Sequence, residues 1–210
     1  SVTGGIYILC KDEDPQKMGS SRVYGNINFC PRAMVEKEPG ELLVINESNC
    51  DQTSLMLFNT SKTEFRYVQD VQLENCGFTQ DLCYLPQHNM VIVISGNSMK
   101  INAHDVDTGC LLWTVDCLFD GIEHSYWSLA YQPGTGSLFV AAPEHGRVLQ
   151  FHVDRTEWMI LNSIENRAEE HGETLKPRIL AWDHNSDALV VYGHDKNLTW
   201  FHYPTMQSNE

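Results

Sequence analysis

The chain has 210 residues, of which 42% are hydrophobic, and a formal net charge of −14. This length and composition suit a single domain with a sizeable core. Because the longest apolar run has five residues, at positions 90–94, the sequence predicts no membrane-spanning helix, and we expect no membrane partner.

Similar segments recur along the chain at intervals of about 50 residues, which is typical of stacked structural units. The units begin at Ala33, Cys83, Ala130 and Ala181. Each continues with a polar or Gly-containing turn and then an apolar run rich in Val, Ile, Leu and aromatic residues. Such runs are too short for helices and are typical of strands that are buried on both faces.

The runs predict the second strand of each unit, and two further strands follow in most units. Second strands are predicted at residues 42–45, 91–94, 138–141 and 189–192. Third strands are predicted at residues 55–58, 101–104, 148–152 and 198–201. A fourth strand closes three units, at residues 65–68, 111–115 and 158–161, and the last unit has none.

Four short antiparallel strands per unit predict an all-β fold, a β-propeller of four-stranded antiparallel blades. A single blade cannot bury both of its faces, so neighbouring blades must pack face to face around an axis. A β-sandwich is the alternative fold. We expect a solvated loop rather than a helix at residues 164–174. The predicted blades are a partial blade at 1–32, blades at 33–75, 82–120 and 127–163, and a partial blade at 178–203.

About four to five blades are therefore present, and a closed propeller needs about four to eight. We expect this chain to be part of a larger ring and a piece of a longer polypeptide. Residues 5–10 and 23–29 predict two strands around an acidic loop at 11–17. These strands belong to a preceding blade, or they supply the strand missing from the last unit and close a small ring.

Three segments carry a resemblance to propeller families. Residues 138–142 followed by 146–151, with the sequence Gly-Arg-Val-Leu-Gln-Phe, resemble an NHL repeat. Residues 103–113, with Asp-Thr-Gly before a Trp, resemble the edge of quinoprotein-type repeats, and residues 182–183 with 193–194 resemble fragments of WD repeats. The resemblance implies a propeller of the NHL or WD-like kind. NHL propellers often form the substrate-recruiting part of ubiquitin ligases, which implies a recognition module.

The charge distribution bears on the choice of partner. Between residues 67 and 146 the only Lys or Arg is Lys100, against nine carboxylates. Nucleic-acid affinity depends largely on Lys and Arg that neutralise phosphates. We therefore do not expect nucleic-acid binding, although an RNA-binding NHL domain stays an alternative. An acidic surface suits solubility or complements a basic patch on a protein.

No catalytic or metal-binding motif is present, and we expect neither catalysis nor a cofactor. His145 with His152, and His194 with His202, are separated along alternating strands and need not converge. Residues 105–109 suit a tight hairpin turn better than a cation loop. The alternative is a metal-dependent propeller enzyme of the quinoprotein or lactonase-like kind. We expect the residues at one register of the innermost strands to pack between blades: Met34, Tyr84, Tyr131 and Trp182.

Seven cysteines without a Cys-x-x-Cys spacing predict buried thiols, and therefore a cytoplasmic location. Three acceptor sequons, at residues 46–48, 59–61 and 197–199, would matter only in a secreted protein. The function predicted from the sequence is a non-catalytic scaffold that binds protein partners. In propellers the second-to-third-strand loops and the connections between blades share one face. The candidate binding residues on that face are Glu144, His145, Arg147, His194, Asp195 and Lys196.

Overall fold

The structure, a computed structural model, describes residues 5–8, 16–20, 29–49, 52–60, 65–96, 99–116, 118–119, 122–123, 125–153, 158–165, 176–194, 196 and 198–202. Within these ranges the regular structure is β-strand, apart from 3₁₀ turns at Pro86–His88 and Pro143–His145. The prediction of an all-β fold is confirmed.

Nineteen strands are present in the described ranges. In chain order they are β1 (Gly5–Ile8), β2 (Gln16–Ser20), β3 (Pro31–Glu38), β4 (Glu41–Asn49), β5 (Gln52–Thr60), β6 (Phe65–Gln72), β7 (Thr79–Leu85), β8 (Met90–Ser95), β9 (Lys100–Asp105), β10 (Leu111–Asp116), β11 (Leu118–Phe119), β12 (Ile122–Glu123), β13 (Leu129–Gln132), β14 (Ser137–Ala142), β15 (Arg147–Val153), β16 (Trp158–Glu165), β17 (Pro177–Asp183), β18 (Ala188–Gly193) and β19 (Leu198–His202).

The strands pair in chain order into antiparallel sheets. Three sheets have four strands, namely β3–β6 (blade 1), β7–β10 (blade 2) and β13–β16 (blade 3), and β17–β19 (blade 4) has three. The first strands of successive blades contact one another: β3 contacts β7, β7 contacts β13, and β13 contacts β17. The four-stranded antiparallel units of the sequence prediction are confirmed.

Each blade has two sides, and alternate residues of its central strands point to opposite sides. We call the side that faces the next blade in the chain the forward side, and the other the backward side. Leu43 and Ile45 on the forward side of blade 1 pack against Val91 and Val93 on the backward side of blade 2. The same arrangement joins blade 2 to blade 3 and blade 3 to blade 4.

Burial on both sides explains why the second strands contain continuous apolar runs. Every residue of β8 and every residue of β14 is buried. Full burial of one Val, Leu or Ile side chain stabilises a fold by about 1.5–3 kcal/mol. The interfaces between blades therefore hold most of the core.

The N-terminal prediction is wrong at residues 16–17, which were expected to end a loop. β1 pairs with β2, so Gln16 and Lys17 lie in a strand where the end of a loop was expected. Residues 23–28 of the predicted strand lie outside the described residues. The sequence of β2 is mostly polar and has no apolar alternation. Backbone hydrogen bonding to β1 decides its conformation, and side-chain pattern does not reveal that.

Two further expectations concern single segments. The Asp105 carboxylate accepts hydrogen bonds from the backbone N–H of Asp107 (3.1 Å) and Thr108 (2.9 Å), and Gly109 has φ 72°. The hairpin turn predicted there is confirmed. β16 continues to Glu165, so the first two residues of the expected loop at 164–174 are strand, and residues 166–174 lie outside the described part.

Four cysteines lie in the described part of the chain, and none of these four forms a disulfide. Cys76 and Cys83 are buried, as predicted, whereas Cys110 is exposed and Cys30 is partly buried. Burial raises the pKa of the Cys76 thiol to about 11 and also raises the pKa of the Cys83 thiol. These two thiols are therefore neutral packing groups.

Candidate functional site

The first predicted site residues lie in the turn between the second and third strands of blade 3. Glu144 and His145 belong to the 3₁₀ turn and are exposed. Gly146 follows with φ 63°, which glycine adopts without strain. Arg147 begins β15 and is partly buried.

The matching turn of blade 4 carries the other predicted residues. His194 and Lys196 are exposed, and Asp195 lies outside the described residues. The backbone N–H of His194 donates to the carbonyl of Lys176 (3.1 Å), so the connector from blade 3 ends beside this turn, as expected. The two turns lie at the same end of adjacent blades. We call it the loop end of the blades.

The fold separates the two histidines of each pair noted in the sequence, His145 from His152 and His194 from His202. His145 lies at the loop end, whereas His152 pairs with Ser137 at the opposite end of β15. In the same way, His202 pairs with Ala188, at the opposite end of blade 4 from His194. In the described residues no group of three or more His, Cys, Asp or Glu side chains is arranged to hold a metal ion.

Polar side chains join three blades at the loop end. The Asp81 carboxylate on β7 accepts hydrogen bonds from the Ser128 hydroxyl (2.7 Å) and from the backbone N–H of Leu129 (2.8 Å). Ser128 Oγ in turn accepts from the backbone N–H of Leu180 on blade 4 (3.0 Å). Burial raises the pKa of Asp81, and these hydrogen bonds oppose the rise. The chain of bonds fixes blades 2, 3 and 4 relative to one another.

A second polar group joins blade 1 to blade 2. Glu47 at the end of β4 is buried and accepts from Arg32 Nε (2.8 Å). The backbone N–H of Thr79, the first residue of β7, donates to the other oxygen of Glu47. The Glu47 carboxylate therefore pairs with a cation of its own blade and accepts a hydrogen bond from a buried amide of blade 2. A buried charge requires such partners.

Two aromatic rings lie exposed at the loop end, each beneath an arginine. The Arg32 guanidinium lies 4.8 Å from the ring centroid of Phe78, and that of Arg178 lies 5.2 Å from the ring of Trp127. Phe78 is 37% exposed and Trp127 is 42% exposed. We call Arg32, Phe78, Trp127 and Arg178 the aromatic–arginine surface.

The sequence analysis missed this surface. Phe78 and Trp127 each lie in the connection that leads into the first strand of a blade, and both connections run to the loop end. The available signal was an aromatic residue within two positions of the start of a first strand. That signal was hidden because the same short segments also carry aromatic and aliphatic residues that are buried, such as Leu73 and Tyr126.

A cavity of about 330 Å³ lies at the opposite end of the first strands. The Tyr131 hydroxyl at its rim donates to Gln87 Oε1 (2.7 Å), and the Trp182 ring stacks on Phe139 with centroids 5.7 Å apart. Tyr84 packs against the core between blades 1 and 2. Three of the four residues named for the innermost register therefore pack between blades as predicted. The prediction is wrong for Met34, which is exposed, and strand pairing places Glu36 at the register of the other three residues. The cavity is lined by Val35, Glu36, Lys37, Leu82, Cys83, Tyr84, Pro86, Leu129, Ala130, Tyr131, Pro133, Ala181, Trp182 and His184.

The predicted site residues and the cavity therefore lie at opposite ends of the blades. At the loop end, exposed aromatic rings lie on blade ends that are joined by hydrogen bonds. At the other end, the cavity lies between the first strands. In the part of the chain that the structure describes, no helix is long and apolar enough to cross a membrane.

Comparison with solved structures agrees with the fold and defines its class as a β-propeller. No protein-family model and no curated protein matches the chain.

The chain is similar to the β-propeller domain of Cps50 (Swd1) from Myceliophteria thermophila, with 10% identity, a TM-score of 0.60, and coverage of 96% of this chain and 64% of that one. It is similar to a protein of unknown function from Bacteroides caccae, with 13% identity, a TM-score of 0.63, and coverage of 90% and 64%. It is also similar to a chain of a nidogen/laminin complex, with 12% identity, a TM-score of 0.58, and coverage of 87% and 62%. The chain spans less than two thirds of the length of each of these chains.

Proposed function

We propose that this protein is a non-catalytic propeller scaffold whose loop end binds a protein partner. The observation that carries the proposal is the aromatic–arginine surface, on which two exposed rings stand on blade ends that are fixed by hydrogen bonds between blades. Tryptophan and arginine dominate the energetics of protein interfaces, and rigid anchors lose little entropy on binding.

The expected partner places one apolar side chain against the ring of Phe78 and another against the ring of Trp127. The residues named from the sequence, Glu144, His145, Arg147, His194, Asp195 and Lys196, belong to the same end by strand topology and would form the polar rim. Recruitment of a substrate to a ubiquitin ligase, which the NHL resemblance implies, is one role for such a scaffold. The proposal includes a cytoplasmic location, which the buried thiols of Cys76 and Cys83 support.

The test is affinity capture with the 210-residue chain as bait in a lysate of the protein's own cells, and the bound proteins are quantified by mass spectrometry. Trp127→Ala should weaken capture of the specific partner about 30-fold, the effect of losing an anchor worth about 2 kcal/mol. Trp200→Ala is the matched control, because Trp200 is an exposed tryptophan on blade 4, away from the loop-end rings. Thermal unfolding of both variants should match that of the parent.

A second variant tests the predicted rim. Glu144→Ala, His145→Ala and Lys196→Ala combined should weaken capture by less than Trp127→Ala, because rim side chains stay solvated. If the Trp127 variant and the rim variant both retain every partner of the parent, the loop end is not the binding face. A partner lost equally with Trp200→Ala would argue against the aromatic–arginine surface.

A further inference from the structure

The forward side of blade 4 faces no other blade among the described residues. Strand pairing places two rows of three residues on this side. In one row Tyr192 lies between Ile179 and Leu198, and in the other Val190 lies between Ala181 and Trp200. Ile179 is 57% exposed, Leu198 is 54% exposed and Trp200 is 49% exposed. We call this surface the open side; its residues are Ile179, Ala181, Val190, Tyr192, Leu198 and Trp200.

The open side corresponds by strand register to sides that are largely buried in the other blades. Leu198 on the third strand matches Leu55 in blade 1, Ile101 in blade 2 and Val148 in blade 3 by strand register. Leu55, Ile101 and Val148 are at most 2% exposed. The difference in exposure arises because an adjacent blade covers three of these positions and not Leu198. The residue types are similar at all four positions.

The cover is of the same kind at each of the three interfaces. The backward side of the next blade supplies two apolar residues of its second strand, at alternate positions. In blade 2 these are Val91 and Val93, and in blade 4 they are Leu189 and Val191. A strand surface with this spacing fits a forward side of the kind that blade 4 presents.

We propose that the open side is the docking surface for a further propeller blade of the same polypeptide. That blade turns an apolar backward side toward Leu198 and Trp200. The support is the continuity with three interfaces of the same register, and the match to propeller chains of which this chain spans 62–64%. An exposed apolar sheet side of this size is otherwise an association hazard.

A second copy of this chain is a poor occupant of the open side. Docking in the repeated arrangement needs second and third strands that are free on the backward side, and in blade 1 these two strands are already covered on that side. Val44, Met56 and Phe58 on that side are at most 1% exposed and pack with Phe29. A net charge of −14 on each copy also opposes association.

Hydroxyl-radical footprinting with mass spectrometry tests the proposal, because it measures side-chain exposure. In the 210-residue chain, Trp200 should be oxidised about as fast as Trp127. In the natural polypeptide, isolated from its cells and purified to a monomer, Trp200 should be oxidised about tenfold more slowly, as a ring enclosed by packed neighbours is. Trp127 should be unchanged and is the internal control.

Three results would overturn the proposal. Equal oxidation of Trp200 in the two monomeric samples would mean that no blade covers it. Protection of Trp200 in the 210-residue chain together with a doubled molecular mass would identify a second copy as the occupant. Protection of Trp200 only when another protein co-purifies would assign the surface to a separate partner.

Discussion

Blade 1 and blade 4 are built from similar strands, yet the second and third strands of blade 1 are covered on both sides and those of blade 4 on one. Leu55 and Leu198 make the comparison direct, because they occupy the same register position and are 2% and 54% exposed. The same residue type at the same place in a repeat therefore contributes differently to stability. What a blade buries depends on its neighbours, so stability in such an array is a sum of interface contributions.

The largest expected effect comes from substituting Leu55, and comparison with Leu198 tests the difference between the two blades directly. Leu55→Ala should lower the free energy of unfolding by about 2–5 kcal/mol, since it removes a buried side chain and leaves a cavity. Leu198→Ala should change it by at most about 0.5 kcal/mol, as for a surface substitution. Urea unfolding of the two variants checks this. Equal losses would mean that the open side is covered in the isolated chain.

The next effect concerns the hydrogen bonds that join covered blades. Asp81→Ala leaves the Ser128 hydroxyl and the backbone N–H groups of Leu82 and Leu129 without their acceptor, which should cost about 1–3 kcal/mol. Asp183→Ala is the control, because Asp183 accepts hydrogen bonds only within its own turn of blade 4, from Asn185 and Ser186, among the described groups. Asp183→Ala should lower the free energy of unfolding by less than Asp81→Ala, as measured by urea unfolding. A larger loss at Asp183 would contradict the ranking.

A glycine tests the contact between the first two blades. Gly109 has φ 72°, and a Cβ atom there would clash with the backbone carbonyl oxygen of Gln72 and lie 2.7 Å from Val71 Cγ1, both in blade 1. Gly109→Ala should cost at least about 1–2 kcal/mol, the strain of a left-handed residue, with the steric contact added. Gly134→Ala meets no atom within 4 Å and should be close to neutral. Thermal unfolding of the two variants gives the difference.

The smallest effect is pH-dependent and involves His104. This buried histidine occupies the third-strand position that is Phe58, Phe151 and Phe201 in the other blades. Burial lowers its pKa, while the hydrogen bond to the Gly109 carbonyl and the charge of Glu74 oppose the shift. The unfolded chain therefore binds this proton more readily than the folded chain does.

Stability should consequently fall as the pH is lowered through the unfolded value of about 6.5. His104→Phe should reduce this decline, because the side chain that binds the proton is gone. The measurement is the free energy of unfolding at a series of pH values from neutral to mildly acidic. His152→Phe, at an exposed position of β15, is the control. An unchanged pH slope in His104→Phe would contradict the prediction.

The fold was predictable because most strands are indicated by the residues within them. The second strands needed only their apolar runs and the repeat spacing, and the structure places β4, β8, β14 and β18 over those runs. The strand β2 was not predictable, because its polar sequence gains strand structure only by pairing with β1. Strand topology alone was enough to predict that the turns with the candidate residues lie at one end of the blades.

The candidate site was less predictable than the fold. Turn position indicated Glu144, His145, His194 and Lys196 from the sequence, whereas Phe78 and Trp127 emerged only when their exposure was known. A large aromatic residue beside a strand usually belongs to the core. Its exposure depends on where the connection between two blades runs, and no local pattern records that path.

The amino-acid sequence by itself determined the repeat, the antiparallel strands and the apolar character of both sides of each blade. These properties depend on neighbours in the chain, through strand alternation and turn chemistry. Only the tertiary structure decided that Leu55 is buried and Leu198 exposed, and that Asp81 joins blades 2 and 3 and, through Ser128, blade 4. The physical reason is that burial and buried hydrogen bonds are set by contacts between residues about 50 positions apart.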